Sequence, residues 1–205
     1  MSVKRKYIDS HWGVFFLKGV VSLGAGFYMM FTKHQNVDFL IQVIGWTMLV
    51  LAAIEVINVV YRTRRQYNWG FPLALGIVEM AMSVALLFTV NRDADLSQLL
   101  PVRLGMLAAY VLAASIITIV MGFSSFDNLT DRFMWVVNGM IGAILGFVLF
   151  ASGNLSDIAH VGLFGTYLLV NGLTDLFYGI HAKDESAELR EERALKRAQK
   201  KGAKK

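Results

Sequence analysis

Four ionisable side chains, Lys18, Glu55, Glu79 and Asp175, lie inside long apolar runs of a 205-residue chain. Charge in such a setting is expensive and marks a partner or a pathway. These residue types allow ion pairing, proton binding or a polar pocket. With a helical rise of about 1.5 Å per residue, Lys18 lies about 9 Å past Trp12, and Glu55 and Asp175 lie about 9 Å before Tyr61 and His181. All three would share one third of a membrane's thickness, so Lys18 is expected to pair with Glu55 or with Asp175. The pair could be structural, with Lys18 snorkelling to the interface. It could instead belong to a polar pocket aided by Asn58, Asn138 and Asn171. Glu79 lies deeper, about 15 Å past Trp69. A carboxyl near the mid-plane is either a neutral, hydrogen-bonded group or a proton-binding site that responds to acid.

Other chemistry is sparse. The four histidines, His11, His34, His160 and His181, stand near the ends of the apolar runs, where their charge could change between about pH 5 and 8; the expectation for such positions is hydrated surface. No His-x-x-x-His spacing or clustered carboxylates point to a metal. There is no nucleotide-binding loop and no Gly-x-Ser-x-Gly elbow. With no cysteine, thiolate metal sites and disulfides are excluded. No enzyme, cofactor or nucleic-acid partner is expected.

The elements that must position these groups follow from composition. The chain is 56% hydrophobic and 17% charged, with a mean hydropathy of +0.52, against about 45–50% and about 25% in ordinary soluble domains. Six stretches reach the ~20 apolar residues that a bilayer span requires: about Trp12 to Thr32, Phe39 to Tyr61, Trp69 to Val90, Leu99 to Phe123, Phe133 to Ala151 and Ile158 to Ile180. The predicted fold is therefore an all-α integral membrane protein of six transmembrane helices. Residues 1–11 form an amino-terminal segment, 12–180 the transmembrane domain and 182–205 a charged tail. Sixteen of the twenty Lys and Arg fall on one side of these spans, which predicts that both termini are cytoplasmic. The first run ends in Met-Met-Phe-Thr-Lys-His, unlike a cleavage site, and reads as a retained helix. In the tail, Glu192 and Lys196 have helix-supporting spacing, and its basic residues could touch anionic lipid headgroups.

The spans repeat. Trp12 and Gly19, Trp69 and Gly76, and Trp135 and Gly142 open the odd-numbered spans at one spacing, and Gly45, Gly105 and Gly165 recur in the even-numbered ones. This divides the chain into three hairpins, about 12–62, 69–123 and 133–181. Glu55, Ser115 and Asp175 fall at one repeat position; Glu79 falls where the first copy has Ser22 and the third has Leu145. Trp at a span's start suits the headgroup level, and the glycines permit close helix approach. The small faces Gly19, Ser22, Gly26 and Gly139, Gly142, Gly146 could pack within one chain or between copies of a homo-oligomer.

On Trp12, Gly19, Trp69, Gly76, Trp135, Gly142, Gly45, Gly105 and Gly165, from about Trp12 to Ile180, the chain resembles the HdeD-like family of bacterial membrane proteins. The resemblance implies a non-enzymatic inner-membrane protein of acid or general stress resistance. That family has no established catalytic set, so no residue role carries over. The four charged residues and the repeat also support a small transporter or channel for protons or a small solute, although parallel copies depart from the commonest alternating-access plan.

Overall fold

A computed structural model describes residues 5–32, 37–62, 70–90, 96–125, 129–151 and 157–202. They form six helices: α1 Arg5–Phe31, α2 Val37–Arg62, α3 Gly70–Val90, α4 Leu96–Ser125, α5 Leu129–Ala151 and α6 Asp157–Gly202. Pro72 falls in the first turn of α3, where a missing N–H costs no helical bond.

Five of the helices are long and apolar enough to cross a membrane. α6 falls short of that apolarity because its inner half carries His160, Asn171 and Asp175. It nevertheless lies along the length of α1. Gly165 meets Met29 near one end of the pair, Gly172 meets the backbone of Leu23, and Gly179 meets that of Phe16 near the other. Phe16, Phe27, Trp46, Ile57, Phe88, Ile116, Phe147 and Phe177, among others, are exposed. An apolar exterior of that extent suits lipid rather than water, and the chain is a multi-pass, all-α membrane protein. Past Ile180, α6 continues unbroken to Gly202, so the charged tail extends the last bundle helix.

The six helices close into a ring in chain order, with α6 returning to α1. The closest packing is between hairpins, in the pairs α6·α1, α2·α3 and α4·α5, and the two helices of each hairpin pack more loosely. Glycine explains the alternation. A Cβ at Gly19 would lie 2.7 Å from Leu176 Cγ, one at Gly76 3.0 Å from a Val56 methyl, and one at Gly139 2.6 Å from Ile119 Cγ1. These three contacts are equivalent by position, giving the ring a threefold pseudo-symmetry. Gly26 against Leu169 and Gly146 against Leu112 form a second equivalent set.

These contacts correct the register of the repeat by one helical turn in two helices. Gly139, not Gly142, is the counterpart of Gly19, and Ala108, not Gly105, is the counterpart of Gly45 and Gly165. Gly45 packs against Leu87 and Gly165 against Met29, but Gly105 is exposed with no neighbour within 4 Å. Gly142 sits instead against Ser115 and Tyr167. The position of Ser22 and Glu79 is thus filled in the third copy by Gly142 rather than Leu145, and that of Glu55 and Asp175 is filled in the second by Thr118 rather than Ser115. The two small-residue faces of α1 and α5 are occupied within the chain, by α6 and α4.

Candidate functional site

Each loosely packed seam is crossed by a polar pair. Between α1 and α2, Lys18 donates to and forms an ion pair with Glu55 Oε1. Between α3 and α4, the Tyr110 hydroxyl donates to Glu79 Oε1 at 2.7 Å. Between α5 and α6, Asn138 Nδ2 donates to Asn171 Oδ1 at 2.7 Å. Where glycine brings backbones together no such link is needed. Where the helices stand further apart, a pair of side chains spans the gap and satisfies groups that lipid could not.

Lys18, Glu79, Tyr110 and Asn171 of these pairs border one cavity of about 30 Å³ at the centre of the ring, to which every helix contributes. Lys18 and Ser22 come from α1, Leu51 from α2, Leu75 and Glu79 from α3, Tyr110 and Thr118 from α4, Trp135 from α5, and Tyr167, Asn171 and Asp175 from α6. Leu75 and Glu79 reach it together because they are one turn apart on the buried stripe of α3. Toward the end where α1 begins lies an aromatic plug of Phe15, Trp135 and Tyr178, packed edge to face with centroids 4.7 to 5.8 Å apart. In the other direction lies the main apolar core, with Met29, Ile44, Leu107, Val111 and Phe164.

The lining is rich in acceptors. Glu79 is 4% exposed, and its Oε2 has no hydrogen-bond partner among the described residues. Oε2 of Glu55, behind Lys18, is likewise unpartnered among them. Thr118 spends its hydroxyl hydrogen on the carbonyl of Ala114, at 2.8 Å, and so keeps only lone pairs to offer. Lys18, 6% exposed, is the cationic lining group. Glu55, Glu79 and Asp175 all interact with it electrostatically. Three carboxyls therefore share one ammonium in a site where each unneutralised charge is costly.

The structure thus pairs Lys18 with Glu55 and keeps Asp175 nearby on the same cavity. Glu79, separated from that group in the sequence reading, belongs to it. Asn171 lines the cavity and Asn138 holds Asn171, while Asn58 is not among the lining residues. Trp135, expected at the headgroup level, is buried in the aromatic plug. His160 is buried rather than hydrated, and His181 is exposed. His34, Trp69 and the side chain of His11 lie outside the described residues.

Several functional side chains escaped the sequence reading. Tyr110 and Tyr167 sit mid-span, where a phenol needs a partner that lipid does not supply; that placement was the available signal. Arg103 is 1% exposed and donates through Nη2 to the carbonyl of Thr89. It thereby meets the negative end of α3. Asp131 is also buried at the start of α5.

Among the described residues, no group of three or more His, Cys, Asp and Glu could hold a metal ion. The chain matches the family model described as "Short repeat of unknown function (DUF308)" over residues 4–88 and 137–190. No curated protein and no solved structure matches it.

Proposed function

The chain belongs to the DUF308 short-repeat family, and from that premise we propose that it is a non-enzymatic inner-membrane protein of acid or general stress resistance, akin to the HdeD-like proteins it resembles. Both termini face the cytoplasm in this reading, in keeping with the excess of Lys and Arg on that side. The basic tail lies against anionic headgroups.

One observation carries the acid-linked part. Glu79 sits at membrane depth with one oxygen held by Tyr110 and the other unpartnered among the described residues, on a cavity it shares with Lys18 and Asp175. A carboxyl so placed can take up a proton without losing its existing bond, since protonation on Oε2 leaves Oε1 as the acceptor. Protonation also lowers the excess of negative charge around Lys18. The test is acid survival of a deletion strain complemented with wild type, Lys18→Ala or Glu79→Gln. Wild type restores survival and both variants, inserted at normal levels, do not. A wild-type response from Glu79→Gln removes the proton-binding role.

The cavity itself favours a second reading, a small transporter or channel for protons or a small solute, because it places charged side chains at the centre of the ring. Proton or solute flux in reconstituted liposomes separates the two: stress resistance without conduction predicts no flux above that of empty vesicles.

A further inference from the structure

We propose that the central cavity is a binding site for the ammonium ion. The inference uses the same cavity as the acid-resistance reading but is independent of any role in survival. It begins with size. A water-sized guest needs ~10–15 Å³ of such space, so a cavity of about 30 Å³ has room for an ion of ammonium's size.

Charge and hydrogen bonding decide the kind of guest. Oε2 of Glu79 and the carboxyl of Asp175 line the cavity, and the Thr118 oxygen has already given its hydrogen to Ala114. Glu79 Oε2 has no donor among the described residues, and Thr118 offers only lone pairs. Ammonium supplies four N–H donors and one positive charge, and so satisfies separate acceptors while offsetting the carboxylate excess. A neutral water brings two donors and no charge.

Its N–H donors set ammonium apart from alkali metal ions, which offer none, and three aromatic residues add to its attraction. Tyr110, Tyr167 and Trp135 all line the cavity, and the Tyr110 and Tyr167 rings stand edge to face with centroids 6.2 Å apart. Ring faces attract a desolvated ammonium-type cation. A sodium ion needs a nearly complete shell of oxygens, and no carboxylate cluster suited to a metal is present among the described residues. Lys18 is the internal precedent: a covalently tethered ammonium already occupies one edge of the same cavity, against Glu55.

The test uses the purified full chain in detergent at fixed pH and ionic strength. Its thermal midpoint is followed as ammonium chloride replaces choline chloride, with sodium and potassium chloride as parallel series. A ligand bound only by the folded state raises the midpoint in a saturable way. The expected result is a saturable rise with ammonium that exceeds those with sodium and potassium. Glu79→Gln abolishes that rise and Asp175→Asn, the second variant, weakens it at least tenfold in midpoint concentration. Equal shifts with all three cations, no saturable shift, or a full ammonium response in whichever variant folds would overturn the proposal. Because acid survival is not read, failure here leaves the stress-resistance reading standing, and the converse also holds.

Discussion

Tyr110 on α4 donates its hydroxyl to Glu79 on α3 across one of the three loosely packed seams of the ring. The bond fixes one carboxyl oxygen and leaves the other facing the cavity. Tyr110→Phe keeps the ring and its packing while leaving Oε1 of Glu79 without its donor. A buried group stripped of its partner costs about 1–3 kcal/mol. The expected outcome is a loss of that size in chemical denaturation in detergent. The Tyr167 hydroxyl bonds in turn to Asn171 and Tyr110, so Tyr167→Phe, which keeps the Glu79 bond itself, should also cost stability.

The Lys18 and Glu55 pair calls for a double-mutant cycle. Removing one partner of a buried ion pair costs about 3–5 kcal/mol, because it strands the other charge, whereas replacing both with apolar residues can be neutral. Lys18→Met also leaves Asp175 and Glu79 without their nearby cation, so it is expected to be the worse single variant. Lys18→Met combined with Glu55→Leu should recover part of the loss. Independent, additive costs for the two substitutions would show that the pair is not coupled as described.

Glycine substitutions test the register of the repeat. A Cβ at Gly139 would lie 2.9 Å from the Ser115 carbonyl oxygen as well as 2.6 Å from Ile119. The backbone contact cannot be relieved by a rotamer change. Gly139→Ala should destabilise the bundle by about 1–3 kcal/mol through overpacking. Gly105→Ala meets nothing within 4 Å, and should be neutral or stabilising by up to about 1 kcal/mol through helix propensity. The reverse order of stabilities would restore the register that aligns Gly105 with Gly45.

The same pair of glycines shows where the sequence was legible and where it was not. Span lengths and the depth of Lys18, Glu55 and Asp175 follow from rise per residue, and they brought the charged groups to one level. Register within the repeat is less determined, because Gly139, Gly142 and Gly146 share one face at spacings of three and four. Matching Trp135 to Trp12 moves the alignment by one turn; the packed structure matches Trp135 to Phe15, both in the aromatic plug. The choice between Glu55 and Asp175 as partner for Lys18 depends on which helices adjoin which. Chain order alone does not state that α1 meets both α2 and α6. The participation of Tyr110 was hidden for a related reason, since its partner comes from another helix.

Ring closure by α6 against α1 gives the last prediction, and the absence of cysteine makes it clean to test. A Cβ at Gly172 would lie 2.8 Å from the backbone nitrogen of Leu23 and 2.9 Å from its Cγ. Replacing Leu23 would remove that Cγ but not the backbone contact, so the thiols are placed beside it: Thr166 Oγ1 lies 3.9 Å from Met30 Sδ across the same seam, and Met30→Cys with Thr166→Cys tests whether the two helices stand within bridging reach, which requires Cα atoms about 4.4–6.8 Å apart. Oxidation of membranes containing the double variant should form a disulfide within one chain, seen as a faster-migrating monomer that reverts on reduction. Phe16→Cys with Phe147→Cys, two exposed positions on different helices, should remain uncrosslinked within the chain. If the first pair instead yields a reducible dimer, α6 of one copy closes against α1 of another. The cavity would then be assembled from two chains, because Asp175 and Asn171 reach it from α6 while Lys18 and Ser22 reach it from α1.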